Sequence, residues 1–394
     1  MYISHVTGKI ILFNFFLIGK NVKHIFLISA FVFSLSSLAS ENSVNINGFG
    51  TMSYVRSNSD ILYNDGIENK NNYNYDTKAG VTLNKFFSNE WEFAMQFMAQ
   101  PDERGSIQPK VNILQVVYRP SSELSFRIGR FRLPLWMISE YLDVGVLIPW
   151  IRPPDEVYSS LPIEELNGVN ANYTFDVASS IFNLDVFTGA GAIVTNGGTA
   201  ITGTLDNVLG TSLSVAYDFL TIRASYVQGT FSSSTLSKNY IPGGSGPCVG
   251  VPPSSSCEIT TETDLNLGNS YFTSLGLKSE WRNTLFMGEY ASWKTSSDLI
   301  KESQAFYVLG GYYFLRKKLL THFTMSRSTK VESLLSVYQG RQKSLIYGAN
   351  YSVNQNVMFK LDFREVSTQG MGLFAKDLKG DKVHIWGVGV DFVF

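Results

Sequence analysis

The stretch that decides the fold is the last one, Trp386-Gly387-Val388-Gly389-Val390-Asp391-Phe392-Val393-Phe394. Trp386, Val388, Val390, Phe392 and Phe394 fall on one side of an extended chain, with Gly387, Gly389 and Asp391 on the other. Successive side chains of a strand point to opposite faces, so this segment has one greasy face and one small or polar face. The same period of two recurs upstream. Val357, Phe359, Leu361 and Phe363 alternate with Met358, Lys360 and Asp362. Trp91, Phe93, Met95, Phe97 and Ala99 alternate with Glu92, Gln96 and Met98, and Leu213, Val215, Tyr217 and Phe219 with Ser212, Ser214 and Asp218. A soluble sandwich alternates too, but its polar face carries more charge. Here only 16% of 394 residues are charged, below the ~25% of ordinary soluble domains. Aromatic residues are abundant, with 28 Phe, 20 Tyr and 6 Trp. The expectation is an all-β transmembrane antiparallel β-barrel, apolar outside and wet inside.

Working outward from the terminal strand, sixteen segments fit. They are approximately 44–55, 75–86, 91–100, 111–118, 124–132, 167–175, 180–190, 208–219, 220–230, 270–281, 284–295, 303–314, 319–329, 341–353, 357–367 and 382–394. Their connections carry a second signal. Links after even strands are short, such as Phe87 to Glu90, Arg282-Asn283 and Asn354 to Asn356. Links after odd strands are usually longer, as in 56–74, 133–166, 191–207, 231–269 and 368–381. That asymmetry belongs to outer-membrane barrels, with the short turns and both termini on the periplasmic side.

The N-terminus reads as an export signal. Lys20, Lys23 and His24 precede the apolar run Ile25 to Leu35, and Ser37-Leu38-Ala39 places small residues at the cleavage positions. The expected organisation is therefore a signal peptide, 1–39, and one barrel domain, 40–394, beginning too close to the cleavage site for a plug domain. Removing three of the 32 bases and none of the 33 acids leaves 29 against 33, a net charge of −4. No basic field points to nucleic acid. The two cysteines, Cys248 and Cys257, are expected to close a loop as a disulfide in an oxidising compartment. Without nearby histidine they make a poor zinc site, and no metal or cofactor is expected.

Two stretches resemble Gram-negative porins. The terminal Trp386 to Phe394 segment is similar to their C-terminal strand, which implies that Trp386, Phe392 and Phe394 form the signal read by the barrel-assembly machinery. Gly129-Arg130-Phe131-Arg132-Leu133-Pro134 is similar to the segment entering the third loop of porin-like and phosphate-selective-porin-like proteins. The resemblance implies a long third loop folded into the lumen, a homotrimer, and an outer-membrane setting among lipid and lipopolysaccharide. The chain lacks the dense lysine or arginine array of the anion-selective members, which argues against phosphate selectivity.

A barrel of sixteen strands leaves an aqueous channel. The expected function is passive diffusion of ions and small hydrophilic solutes, with no enzymatic activity. Residues 133–166 carry Glu140, Asp143, Asp155, Glu156, Glu164 and Glu165 against Arg152 alone, while alternation turns Lys78, Arg127, Arg223, Lys360 and Arg364 inward. Loop acids facing wall bases would form the constriction and set selectivity. Glu140, Asp143, Asp155, Glu156, Arg127, Arg223, Lys360 and Arg364 are the expected site residues. Arg130 and Arg132 point outward under strict alternation and inward if Gly129 forms a bulge. Trp136 and Trp150 are read as loop packing before sugar stacking, and Trp91, Trp281, Trp293 and Tyr347 as interfacial aromatics. Alternatives are a substrate-specific channel, a surface-adhesion barrel, or an enzyme. The last needs a base, and His322 and His384 are the only histidines after residue 39, without readable partners.

Overall fold

The computed structural model describes residues 44–64, 66–101, 107–161, 163–195, 201–242, 256–296, 300–333 and 340–394. The strands are β1 (Asn45–Ser57), β2 (Lys78–Phe86), β3 (Trp91–Pro101), β4 (Ile107–Tyr118), β5 (Leu124–Arg132), β6 (Glu165–Val177), β7 (Ser180–Thr195) and β8 (Ile201–Tyr217). They continue as β9 (Leu220–Pro242), β10 (Ser256–Trp281), β11 (Thr284–Thr295), β12 (Ile300–Phe314), β13 (Leu319–Ser333), β14 (Arg341–Ser352), β15 (Val357–Gln369) and β16 (Lys382–Val393). Each pairs with its neighbour and β1 pairs with β16, giving a closed antiparallel barrel. Closure matters because an open edge presents unpaired N–H and C=O groups that lipid cannot satisfy. At the seam, Phe49 pairs with Val393 and Ser57 with Ile385. Gly48 and Phe394 exchange two backbone hydrogen bonds of 2.9 Å. The rings of Phe394 and Phe392 lie against Gly48 and Gly50, where any Cβ would collide with them.

Alternation sorts the wall into two faces. Trp386 and Val388 of β16 are exposed, while Ile385 and Asp391 are buried. Phe359, Leu361 and Phe363 of β15 are exposed, and Lys360, Arg364 and Val366 are buried. The exposed face is the outer, apolar one, and the buried side chains point inward. Trp91, Trp281 and Tyr347 lie on the outer face as expected. Trp293 does not. It is buried on the inner face of β11, and its indole N–H donates to Ser270. The inner row of β11 is Leu285, Met287, Glu289, Ala291 and Trp293, so both faces of this strand are largely apolar and hydropathy could not orient it.

The short turns fall where expected, and the long links lie at the other end. One link is shorter than its sequence suggests. The pairing of β9 with β10 continues to Pro242 opposite Ser256, so most of the expected loop 231–269 is a tall hairpin. Its Ser- and Thr-rich sequence lacks apolar alternation because strands that leave the bilayer have no lipid to face. Cys248, and with it the expected disulfide, lies outside the described residues, as does the expected signal peptide, 1–39.

Gly129 sits at φ +128°, a conformation that disfavours any side chain. Beyond it the two arginines separate. Arg130 is exposed and bonds Asn167 and the Val111 carbonyl. Arg132 is buried against the link that follows β5, bonding Asp143 and Glu164.

Val388→Arg places a charge on the outer face near mid-strand and should cost ~2–4 kcal/mol, whereas Thr82→Arg on the inner face should be nearly neutral. Urea unfolding in lipid vesicles measures both; equal costs would reverse the assignment of faces.

Candidate functional site

The link from Leu133 to Glu164 joins β5 to β6. It contains two 3-10 turns, Ser139–Tyr141 and Gly145–Leu147, and one short helix, α1 (Asp155–Tyr158). Its apolar residues are spaced to bury almost continuously, and Leu133, Leu135, Trp136, Met137, Ile138, Ile148 and Trp150 are all buried. They pack on inner-face side chains from β7 round to β14, including Phe187, Phe272, Met287 and Leu309. Trp136 meets Phe272 edge-on at 4.7 Å between ring centroids, and Trp150 meets Tyr307 at 5.3 Å. The Trp150 indole also donates to Thr324 Oγ1 at 2.9 Å. Both tryptophans therefore pack, as expected.

Such a link has few backbone partners of its own, so the wall supplies them. Ser225 donates to the Pro134 carbonyl, Ser274 to Leu135 and Asn350 to Pro149. The Met137 N–H donates to Glu289, which also accepts from the Tyr158 hydroxyl at 2.8 Å. Lys360 does most. Its ammonium lies 2.7–2.9 Å from the carbonyls of Gly145, Ile148 and Trp150, and 2.8 Å from the Asp391 carboxylate. Asp391 accepts in turn from Thr51. One buried cation thus ties three points of the link to β15 and β16.

The helix α1 is fixed similarly. Asp155 pairs with Arg364, whose guanidinium also reaches the Arg152 carbonyl. The Tyr63 hydroxyl donates to Asp155 at 2.8 Å. Burial, and then the Asp155 carboxylate, pushes that hydroxyl well above the usual tyrosine range, so it remains a donor. Glu156 has no basic partner among the described residues. It is held by neutral donors, Ser326, Ser344 and Gln342. Arg152 pairs with Asp76 beyond the first strand and stacks over Tyr75 at 4.5 Å.

The other charges gather on the remaining side. Glu140 makes a two-point bond to Arg223 at 2.8 and 2.9 Å. Asp143 lies 3.5 Å from Lys78 and pairs with Arg132, which also reaches Glu164 at 3.3 Å. Arg127 faces Asp185 at 3.8 Å. The neighbouring inner wall is polar, with Gln96, Asn112, Asn170, Asn172 and Ser212. A cavity of about 730 Å³, including its open mouth, lies beside the seam of β1 and β16, against Asn47, Phe49, Thr82, Gln96, Val144 and Phe394.

The expected site residues thus divide. Glu140, Asp143, Arg127 and Arg223 come together on the polar side. Asp155, Glu156, Lys360 and Arg364 are buried under the link as its fastenings. Asp185, Glu289 and Asp391 were not singled out in the sequence, although Asp391 sits in the alternation of the final strand. His322 is buried with neither ring nitrogen hydrogen-bonded, and His384 lies on the outer face beside Glu365.

No family model matches the chain, and no curated protein matches it in sequence. Solved structures match it throughout. The outer-membrane channel DcaP of Acinetobacter baumannii is 10% identical, with 91% of this chain and 100% of that one aligned and a TM-score of 0.56. The anion-selective porin of Comamonas acidovorans is 10% identical over 89% and 99%, with a TM-score of 0.53. In-vitro folded OmpT of Vibrio cholerae, in its trimer form, is 11% identical over 89% and 100%, with a TM-score of 0.52. At such identities the likeness carries the fold. The chain has the closed-barrel fold of these outer-membrane proteins.

Lys360→Met strands the Asp391 carboxylate and frees three carbonyls, and should cost ~3–5 kcal/mol. Lys360→Met with Asp391→Asn should cost less, because no buried charge is left behind. Thermal unfolding of the two variants checks the order.

Proposed function

We propose that the chain is a porin: a water-filled channel for passive diffusion of ions and small hydrophilic solutes, and not an enzyme. The carrying observation is that the link after β5 packs on the apolar inner wall while its acids Glu140 and Asp143 meet the wall bases Arg223 and Lys78. On this reading the link folds into the lumen as the third loop and narrows it. Water and solutes pass along the polar side, past the pairs of Glu140 with Arg223 and Asp143 with Lys78 that join the loop to the wall. Opposed charges across a narrow low-dielectric gap orient dipolar solutes and disfavour apolar ones.

The balance of exposure favours cations. Side chains of Glu140 and Glu164 are 40% and 49% exposed against 14% and 8% for their partners Arg223 and Arg132, whereas Asp143 and Asp185 are 12% and 6% exposed against 20% and 28% for Lys78 and Arg127. Glu140 and Glu164 are therefore the acids that permeating ions meet. Asp155, Glu156, Lys360 and Arg364 act as fastenings rather than as selectivity charges, because solvent does not reach them.

Residues 1–39 direct export and are removed. Trp386, Phe392 and Phe394 are read by the assembly machinery, and the outer face meets lipid and lipopolysaccharide. A homotrimer is the proposed assembly, supported by the trimeric OmpT of the same fold.

In planar bilayers the protein should show a large open conductance and a reversal potential of cationic sign across a salt gradient. Glu140→Gln with Asp143→Asn should move that potential toward anions. An unmoved potential would remove these residues from the constriction, and a silent barrel would remove the channel. Cross-linking of the native protein should stop at three copies.

A further inference from the structure

The outer wall carries a charge pattern that the channel does not use. Where β13, β14, β15 and β16 pair, its residues fall into rows. One row is Phe323, Tyr347, Phe363 and Trp386, each opposite the next. All four are exposed, and neighbouring rings lie 5.0, 6.3 and 6.5 Å apart between centroids. An aromatic row on the lipid-facing wall marks a membrane–water boundary. Four residues nearer the long links on each strand lies a parallel row of Arg327, Lys343, Ser367 and Lys382. At ~3.4 Å per residue on strands tilted by ~40°, it stands about 10 Å above the aromatic row. That is the level of lipid headgroups on the side of the long links.

Arg327 and Lys343 are both exposed and directly opposite each other. Like charges so placed repel. Arg341 adds a third positive charge on the same face of β14, two residues and about 7 Å from Lys343. None of the three forms an ion pair or a side-chain hydrogen bond among the described residues. Glu365, on the row between, is already engaged, 2.8 Å from Lys382 and 3.5 Å from His384. Other bases on the outer wall toward this end have partners: Lys294 has Glu302 at 3.1 Å, Arg130 has Asn167, and Arg56 has Asn69. Three bases gathered without an acid call for an anion from outside the chain. A phosphomonoester supplies ~1.5–2 negative charges and three acceptor oxygens, which the guanidinium fork of arginine matches.

We propose that Arg327, Arg341 and Lys343 bind the phosphate of a phosphorylated glycolipid of the outer leaflet. Its acyl chains lie on the aromatic row and the apolar wall beneath, and its sugar phosphate sits on the bases. The site rests on the reading that the outer face meets lipopolysaccharide, and adds the place on the barrel and the group that is held. The bound phosphate removes the repulsion between Arg327 and Lys343 and so steadies β13 against β14.

Native mass spectrometry of the full-length processed protein in detergent micelles tests this with three probes. They are bisphosphorylated lipid A, the same lipid stripped of both phosphates, and inorganic phosphate. Lipid A should bind about tenfold tighter than the stripped lipid, and inorganic phosphate should not displace it. Arg327→Gln with Lys343→Gln should weaken lipid A binding about tenfold and leave the stripped lipid unaffected. Lys317→Gln with Lys318→Gln removes the same charge at the short-turn end and should change neither. All four positions are exposed, and unchanged heat-modifiable gel mobility will confirm that the variants fold. Equal effects of the two double variants overturn the site, as does displacement by inorganic phosphate, which would assign the bases to a free anion. Variants that dissociate the native oligomer also overturn it, by placing this face between copies of the chain. Equal binding of the two lipids sinks the site and leaves the lipopolysaccharide-facing wall standing, whereas binding of neither sinks both.

Discussion

Every backbone N–H and C=O that enters the hydrocarbon must find a partner within the protein. The rest of the structure follows from that requirement. Sixteen strands meet it by closing on themselves, with β1 hydrogen-bonded to β16. Closure makes one face of every strand an outside and the other an inside. Lipid then demands an apolar outer face, which is why the alternation is so regular within the spanning segments and fades where β9 and β10 rise beyond them. The close contact of Phe392 and Phe394 with Gly50 and Gly48 shows how tightly the last strand is fitted to the first.

Inside, the constraint is reversed, because nothing obliges the inner face to be polar throughout. Part of it is apolar here, and the link after β5 is the element that covers it. Hydrophobic packing alone would leave this irregular backbone with unpaired carbonyls. Lys360, Asn350, Ser225 and Ser274 supply donors from the wall. Burying Lys360 and Asp391 carries a desolvation cost that their attraction only partly offsets, so this pair is better understood as fixing position than as adding stability. Glu156, held by serine hydroxyls and an amide rather than by a base, serves the same purpose with no counter-charge.

A shared fold does not set selectivity, since barrels of this architecture carry different solutes. What is particular to this chain is the division of its charges. Those buried under the loop hold it, and those at its free edge face the polar wall.

Alternation and turn length alone determined the strand number, the position of the turns, and which face most side chains take. They did so because lipid imposes its demand residue by residue, within each strand. Lys78, Arg127, Arg223, Lys360 and Arg364 were legible as inward for that reason. Their partners were not. Arg223 meets Glu140 and Arg364 meets Asp155 across long separations in the chain, and the stagger of the strands sets the height at which they meet. Trp293 and the split between Arg130 and Arg132 were equally hidden. The first lies on a strand apolar on both faces, and the second turns on where β5 ends, because Arg132 is its last residue and is held by Asp143 and Glu164 of the link. The sequence determined the cylinder, because a periodic environment writes a periodic pattern. Only the tertiary structure decided which charges are buried where the loop meets the wall and which stay partly exposed, because that depends on neighbours no local pattern encodes.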